Sequence, residues 1–229
     1  HNGKIVNIME FIKTNIPSKY TLSSKVLNAS DYGTPQNRKR LITLISSEGK
    51  WGFPKPHKNK TTVRQAIGHL PSIESGDTTD IPWHFGRKHN DNHILWMKHT
   101  PTGKTAFDNK VHFPQTRDKD TGLMRRIKGF RTTYKRIEWD QPSPTIGMTN
   151  GSINSQNNVH PGTLKDDGTY SDARALSVKE ITILCGLPEN CFDSYEDKVT
   201  ENFMRHVIGE CFPPKMCLEI LKKITNKEN

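Results

Sequence analysis

Regularly spaced apolar residues are confined to the two ends of this 229-residue chain. Near the N-terminus, residues 4–14 place apolar side chains at helical spacing, and Pro17 limits the extension of that predicted helix. Residues 20–28 alternate loosely and predict a strand, while the apolar run at 41–45 is typical of a buried strand. The first 50 residues are therefore predicted to belong to an α/β domain.

The middle of the chain lacks such a pattern. From Trp51 to about Gly129, Pro, Gly, His and Lys are scattered among few periodic apolar residues, which indicates a loop-rich, mainly β domain. The local predictions are a short helix at 63–70 capped by Thr61 or Thr62, further strands at 132–139 and 143–149, and a polar loop without core-forming residues at 150–158.

Helical order returns towards the C-terminus. Ser177 and Glu180 form the capping-box pattern of a helix that Gly186 and Pro188 end. A last helix is predicted from about Asn202, with a break near Gly209 and a restart after residues 213–214. The predicted units are 1–50, with α/β character; 51–158, the loop-rich domain; and 159–229, a helical segment, which the family resemblance described below implies is a return to the domain that 1–50 ends.

Charge and composition restrict the function only broadly. The net charge is +10 and the pI about 9.4, which favours a polyanionic partner, although a basic protein without one stays open. No apolar run or leader directs the chain to a membrane or to export, so a cytoplasmic location is expected. Five residues separate the cysteines of each local pair, a spacing that disfavours zinc. The first residue is His1 rather than Met, and we expect the chain to begin inside a longer protein.

The densest candidate site lies between the turn at 31–35 and the apolar run at 41–45. Arg38 and Arg40 are two residues apart, so on an extended segment they project to one side and form a fork for a phosphate or a base carbonyl. Gln36 precedes them. From these residues alone, a solvated basic turn is an equally good interpretation.

Residues 26–41 resemble the Gln-x-Arg-x-Arg motif of DNA cytosine-5 methyltransferases, including the lead-in Asp-Tyr-Gly-x-Pro-Gln-Asn-Arg. The resemblance implies that Arg40 contacts the carbonyl of the flipped target cytosine and the adjacent phosphate. It also implies that Arg38 holds the backbone and that Gln36 braces the turn. These three residues are the expected catalytic-site residues of the chain.

Residues 136–146 resemble the family segment that closes the recognition domain. By this resemblance Thr145 touches a phosphate and 147–154 is the recognition loop, whereas an ordinary strand residue and a disordered loop are the alternatives. The expected DNA-binding residues are Thr145, Ile146, Gly147, Thr149, Asn150, Gly151, Arg131, Thr132 and Arg136.

Two further segments resemble the family in the family's order. Residues 160–188 are similar to a structural segment that ties the recognition domain to the catalytic core. Residues 207–214 are similar to the final Gly-Asn-x-Val-Pro-Pro motif beside the methyl-donor pocket, which implies donor contacts at Gly209, Glu210 and Cys211. Glu210 stands where Asn is common, and an ionised Glu cannot donate a hydrogen bond to the donor's carboxylate.

The resemblance implies a C-terminal portion of an S-adenosylmethionine-dependent methyltransferase that binds duplex DNA within a restriction-modification system. No cysteine follows a proline, and no Gly-rich turn follows an early strand. We therefore expect the N-terminal catalytic half, in the same or another polypeptide, to be a partner, and this chain to be inactive alone. A regulatory DNA-binding relative and an RNA-modifying relative are the rivals. His89 and His93 share helical spacing, but no metal is expected because further ligands are not evident.

Overall fold

The structure is a computed structural model that describes residues 7–225. It contains six helices and four strands in this described range, besides short 3-10 turns. In chain order they are α1 (Ile8–Asn15), β1 (Thr21–Asn28), β2 (Lys39–Ser46), α2 (Val63–Ile67), α3 (Asp91–Lys98), β3 (Gln115–Arg117), β4 (Met124–Arg126), α4 (Val178–Leu184), α5 (Glu201–Glu210) and α6 (Pro214–Thr225).

The N-terminal strands form an antiparallel two-stranded ribbon, in which Val26 faces Leu41 and Leu27 faces Arg40. Leu27 belongs to the face that packs on Met216 and other apolar residues of α6. The opposite face is exposed at Val26 and Leu41, and α1 reaches it through Met9, which contacts Thr43. Leu41 is 52% exposed, so the prediction of a buried strand at 41–45 is wrong for the described residues, because α6 covers one face only. Of the helix predicted at 4–14, residues 4–6 lie outside the described range and the rest extends to Asn15.

A central apolar core joins α2, α4 and α5 around residues such as Ile67, Ile181 and Ile208. Helices α2 and α4 each begin at a capping box. Thr62 pairs with Gln65 at the start of α2, and Ser177 pairs with Glu180 at the start of α4. These boxes satisfy N–H groups that the first helical turn leaves free. The predicted helices after Thr62 and Ser177 are therefore confirmed, and the core draws on both the 51–158 and 159–229 units.

The loop-rich middle carries less regular structure than predicted. Its two strands, β3 and β4, have three residues each and are exposed, and α3 was not predicted. The expectation of a mainly β domain is therefore wrong. The strands predicted at 132–139 and 143–149 are absent from the described residues, because neighbouring N–H groups bond to different segments: Tyr134 to Ile153, Arg136 to Lys104 and Ile137 to Val159.

Of two other local predictions, the one for residues 150–158 is wrong and the one for the helix break is confirmed. Residues 150–158 were expected to lack core residues, yet the Ile153 side chain is fully buried and packs with Trp96 and Val159. The helix break predicted near Gly209 is confirmed, because α5 ends at Glu210 and α6 begins at Pro214. Within residues 7–225, no helix has the length and apolar character needed to cross a membrane.

Candidate nucleic-acid interface

Arg38 lies at the entry to β2 and is 4% exposed. Its Nη1 donates to the carbonyl of Ile146 and its Nη2 donates to the carbonyl of Gly209, both at 2.8 Å. The guanidinium therefore ties β2 to the chain after Thr145 and to the end of α5. This planar fork can hold two carbonyls at once, which an ammonium group cannot do with the same geometry.

Arg40 is the more accessible of the two arginines. Its Nη1 donates to its neighbour's carbonyl, Lys39 O, at 2.9 Å. Partial burial, and then the positive charge of Arg38, lower the pKa of Arg40. Because the hydrogen bond of Arg40 within the described residues is local and the Arg38 guanidinium lies nearby, this side chain is placed to receive an anion or a carbonyl.

The two arginines open into a common groove of about 580 Å³, which we call the target groove. Its lining residues are Arg38, Arg40, Thr145, Gly147, Met148, Gly209 and Glu210. The sequence motifs at 26–41, 136–146 and 207–214 are far apart along the chain, and the structure brings a residue of each to this one surface.

The Thr145 segment is joined directly to the arginine motif. Ser143 and Gln36 form a parallel bridge, and the Asn37 N–H donates to the Ser143 carbonyl at 2.7 Å. The Thr145 hydroxyl donates to the carbonyl of Asn37 at 2.6 Å, while the residue stays exposed. These bonds fix the position of Thr145 at the rim of the target groove.

Gly209 allows the recognition loop to lie against α5. A Cβ at this position would overlap the Gly147 carbonyl and would stand 2.6 Å from Met148 Cα. Real Cβ contacts are not this short, so any larger residue at 209 displaces the loop or the helix. Gly209 is one of the three residues expected to contact the methyl donor. In this structure it is buried where the loop packs against α5.

A pair of thiols lies beneath the arginines. Gln36 is buried and its Nε2 donates to Cys185 Sγ at 3.2 Å. The hydrogen bond with Cys185, and then the charges of Arg38 and Arg40, lower the pKa of Cys211 to about 7. Contact with Cys211 and burial raise the pKa of Cys185. Sequence reasoning missed this contact, because residues 185 and 211 belong to different motifs.

Three of the expected DNA-binding side chains are corrected to structural roles. Arg136 is fully buried, and its guanidinium donates to the carbonyls of Met97, His160, Ser171 and Asp172. Ile146 is 1% exposed within the central core. Asn150 is 2% exposed and braces the loop by donating to Gly147 O and Arg205 O. The protein partners of these three side chains indicate structural roles for them in this structure.

The remaining expected residues lie in three places. Thr149 and Gly151 continue the recognition loop beyond the target groove. Arg131 is exposed and pairs with Asp108, and neither it nor Thr132 lines the groove. Glu210 does line the groove and stands 3.5 Å from His206. Met148, which sequence reasoning did not single out, contributes the exposed apolar wall beside Gly147.

The histidine pair does not share a helix. His93 lies in α3, whereas His89 precedes its first residue. Across the part of the chain that the structure describes, no group of three or more His, Cys, Asp or Glu side chains could hold a metal ion.

The model of the C-5 cytosine-specific DNA methylase family matches residues 2–226. The chain belongs to this family. It is 45% identical over 227 residues to the type II methyltransferase M1.HgaI of Avibacterium volantium, covering 99% of this chain and 61% of that protein. It is 27% identical to the type II methyltransferase M1.HphI of Haemophilus parahaemolyticus, covering 90% of this chain and 48% of that protein.

A solved structure shows the same fold at low identity. A protein encoded within an E. coli prophage and designated a DNA modification methyltransferase superposes with a TM-score of 0.61 at 17% identity. The match covers 96% of this chain and 64% of that chain. The methyltransferase family is thereby shown by sequence and its fold by structure, and the present chain spans about half to two thirds of the length of these relatives.

Family membership implies S-adenosylmethionine as the methyl donor. The lining of the target groove does not single out that molecule, because the Arg40 guanidinium opposes its cationic sulfonium whereas the carboxylate of Glu210 attracts it. The same surface suits a phosphate or a carbonyl oxygen. We therefore derive no donor chemistry from the groove residues.

Proposed function

We propose that this chain is the target-recognition part of a DNA cytosine-5 methyltransferase, and that it binds duplex DNA and holds the flipped cytosine. The observation that carries the proposal is the target groove, where Arg40 and Thr145 meet beside the recognition loop. Methylation at C5 requires the cytosine to leave the base stack, which costs a few kcal/mol. A site that grips the extruded nucleotide offsets that cost.

In this proposal the groove residues divide the work. Arg40 donates to the base carbonyl of the cytosine and to the neighbouring phosphate. Thr145 donates to a flanking phosphate when its exposed hydroxyl turns from the Asn37 carbonyl. Arg38 acts as a positioning residue, since both of its terminal nitrogens are already bonded to protein carbonyls. Gln36 braces the turn from the buried side.

The donor pocket and the nucleophilic thiolate belong, we propose, to the part of the enzyme that corresponds to the remaining length of the relatives. The exposed face of the β1–β2 ribbon supports this assignment. Val26 and Leu41 face each other there and are 58% and 52% exposed. A two-stranded ribbon is marginal alone and gains stability when further strands or helices cover it. We therefore expect the catalytic half to pack on this face, in the cytoplasm of a prokaryotic cell.

The experiment combines the purified chain with S-adenosylmethionine and duplex DNA, with and without the N-terminal half of M1.HgaI as a complementing protein. We expect no methyl incorporation by the chain alone and incorporation when the halves are combined. The matched variant is Leu41→Asp, which charges the ribbon face and leaves the target groove unaltered.

Three results separate the alternatives. Robust methylation by the chain alone would contradict the proposed division of the enzyme. Duplex binding without methylation in any combination would favour the regulatory relative. Preference for tRNA over duplex DNA in competition would favour an RNA-modifying relative.

A further inference from the structure

A second polar cleft adjoins the target groove. Its volume is about 520 Å³, and Met148 lines both spaces. One wall is the recognition loop from Met148 to Ser152 and the other contains Arg87, Lys88 and His89. We call it the reading cleft. The segment 87–89 matched none of the four motifs of the sequence analysis.

The reading cleft is built on a rigid base. Arg205 is 2% exposed and lines its floor. Its Nη1 donates to the side-chain oxygen of Asn150 at 3.0 Å, and its Nη2 donates to the carbonyl of Leu176 at 2.9 Å. Asn150 in turn donates to Gly147 O, so the loop shape is fixed from beneath before any ligand arrives.

The guanidinium of Arg87 packs against the recognition loop at Gly151. Its Nη1 donates to Asn202 Oδ1 at 2.8 Å, and Glu201 lies 3.9 Å from the same nitrogen. A Cβ at Gly151 would overlap this nitrogen, so the glycine makes room for the guanidinium. Glu201 partly neutralises Arg87, which leaves the neighbouring exposed ammonium of Lys88 as the more available cation of this wall.

His89 contributes a donor of fixed orientation. The Ala175 N–H donates to His89 Nε2 at 3.1 Å, so this nitrogen is unprotonated. Burial, followed by the charges of Arg205 and Arg87, lowers the pKa of His89 to about 4. The ring is therefore neutral at physiological pH, and Nδ1 must carry its hydrogen.

These groups select one kind of base edge. In the major groove guanine presents two acceptors, N7 and O6, whereas adenine presents an acceptor and an amino donor. A wall of ammonium, guanidinium and imidazole N–H donors complements the guanine edge and opposes the adenine amino group. We propose that the reading cleft binds a guanine near the target cytosine, with Lys88, Arg87 and His89 as specificity-determining residues. This inference rests on the proposed DNA-binding function of the chain.

The spacing locates that guanine relative to the cytosine. Gly147 lines the target groove and Gly151 lines the reading cleft, four residues further on. Four residues span at most roughly 14 Å when extended. One base step rises about 3.4 Å along a strand. The guanine is therefore expected within about four base pairs of the flipped cytosine.

The test selects duplexes from a library randomised on both sides of one cytosine, using the full 229-residue chain. We expect enrichment of guanine at one nearby position. Lys88→Ala is expected to lower that preference about tenfold, as is replacement of the guanine by 7-deazaguanine, which lacks the N7 acceptor. Arg87→Lys is the second variant. Lys222→Ala removes a charge from α6, outside the cleft, and is the matched control.

A phosphate contact would give a different pattern. If Lys88→Ala weakened all sequences equally and 7-deazaguanine had no effect, the guanine assignment would be overturned while DNA binding stood. Enrichment of adenine at that position would overturn it as well. Failure of the unaltered chain to bind any duplex would remove the proposed function, and this inference with it.

Discussion

The arginines buried in the interior of the chain and Arg40 in the target groove behave differently. Arg136, Arg174 and Arg205 are each at most 2% exposed and spend their N–H groups on carbonyls and carboxylates of the protein. Arg40 lies at the surface of an open groove with one local hydrogen bond. The comparison teaches that positive charge in this chain has two settings, which burial separates and composition does not: some arginines hold backbone and side-chain oxygens inside the protein, and Arg40 lines an open groove.

The largest expected effect is the loss of stability when one of the buried arginines is replaced. Arg136→Met should lower the free energy of unfolding by at least about 3 kcal/mol, because it strands several buried carbonyl acceptors. Urea denaturation followed by circular dichroism measures the change. Arg131→Met removes an exposed arginine paired with Asp108 and should cost less than about 1 kcal/mol. Equal effects of the two substitutions would break the distinction between the regions.

The buried network also predicts a pH dependence. His160 is buried, and that burial lowers its pKa from 6.5 to about 4 despite the nearby carboxylates of Glu180 and Asp172. Between these two pH values the unfolded chain binds more protons than the folded chain, so stability falls as pH is lowered. The loss attributable to this group is on the order of 3 kcal/mol.

Denaturation midpoints at pH 7 and pH 4.5 measure this dependence. The variant His160→Gln removes the titrating imidazole from this site and should make stability less dependent on pH over this range. A stability that rose on acidification would contradict the assignment of a neutral, buried His160.

The sequence predicted the features that local patterns encode, and it missed those that depend on contacts between distant segments. Capping boxes are local, so the helices after Thr62 and Ser177 were predicted correctly. The residues of the target groove were named from motifs, and the structure places Arg38, Arg40 and Thr145 together. The roles assigned to them remain predictions.

The failures come from contacts that no local pattern encodes. Arg136 and Asn150 are polar and were expected to bind DNA, yet both are buried by partners distant in the chain. The apolar run at 41–45 was expected to be buried, and its exposure depends on what covers the ribbon. The close packing of Gly209 on Gly147 was likewise not encoded in any local pattern.

A smaller loss of stability is expected where α5 packs on the loop at Gly147. Gly209→Ala should destabilise the chain by about 1–3 kcal/mol, because the added methyl overlaps the backbone of Gly147 and overpacks a closed contact. The displaced loop should also weaken duplex binding. Gly49→Ala adds a methyl group where nothing lies within 4 Å, but at positive φ, and so reports the cost of backbone strain without a clash. Unchanged stability and binding in Gly209→Ala would show that the loop does not depend on this approach.

The account depends most on Arg40 as a DNA-facing cation, and duplex binding at several salt concentrations tests it directly. Arg40→Gln should leave the unfolding free energy within about 0.5 kcal/mol. It should weaken duplex binding and reduce the slope of log affinity against log salt by about 1, the value for one lost phosphate contact. Arg64→Gln, which removes an exposed arginine paired with Asp140, is the matched control. An Arg40→Gln chain that bound DNA with wild-type affinity and salt slope would contradict the central claim.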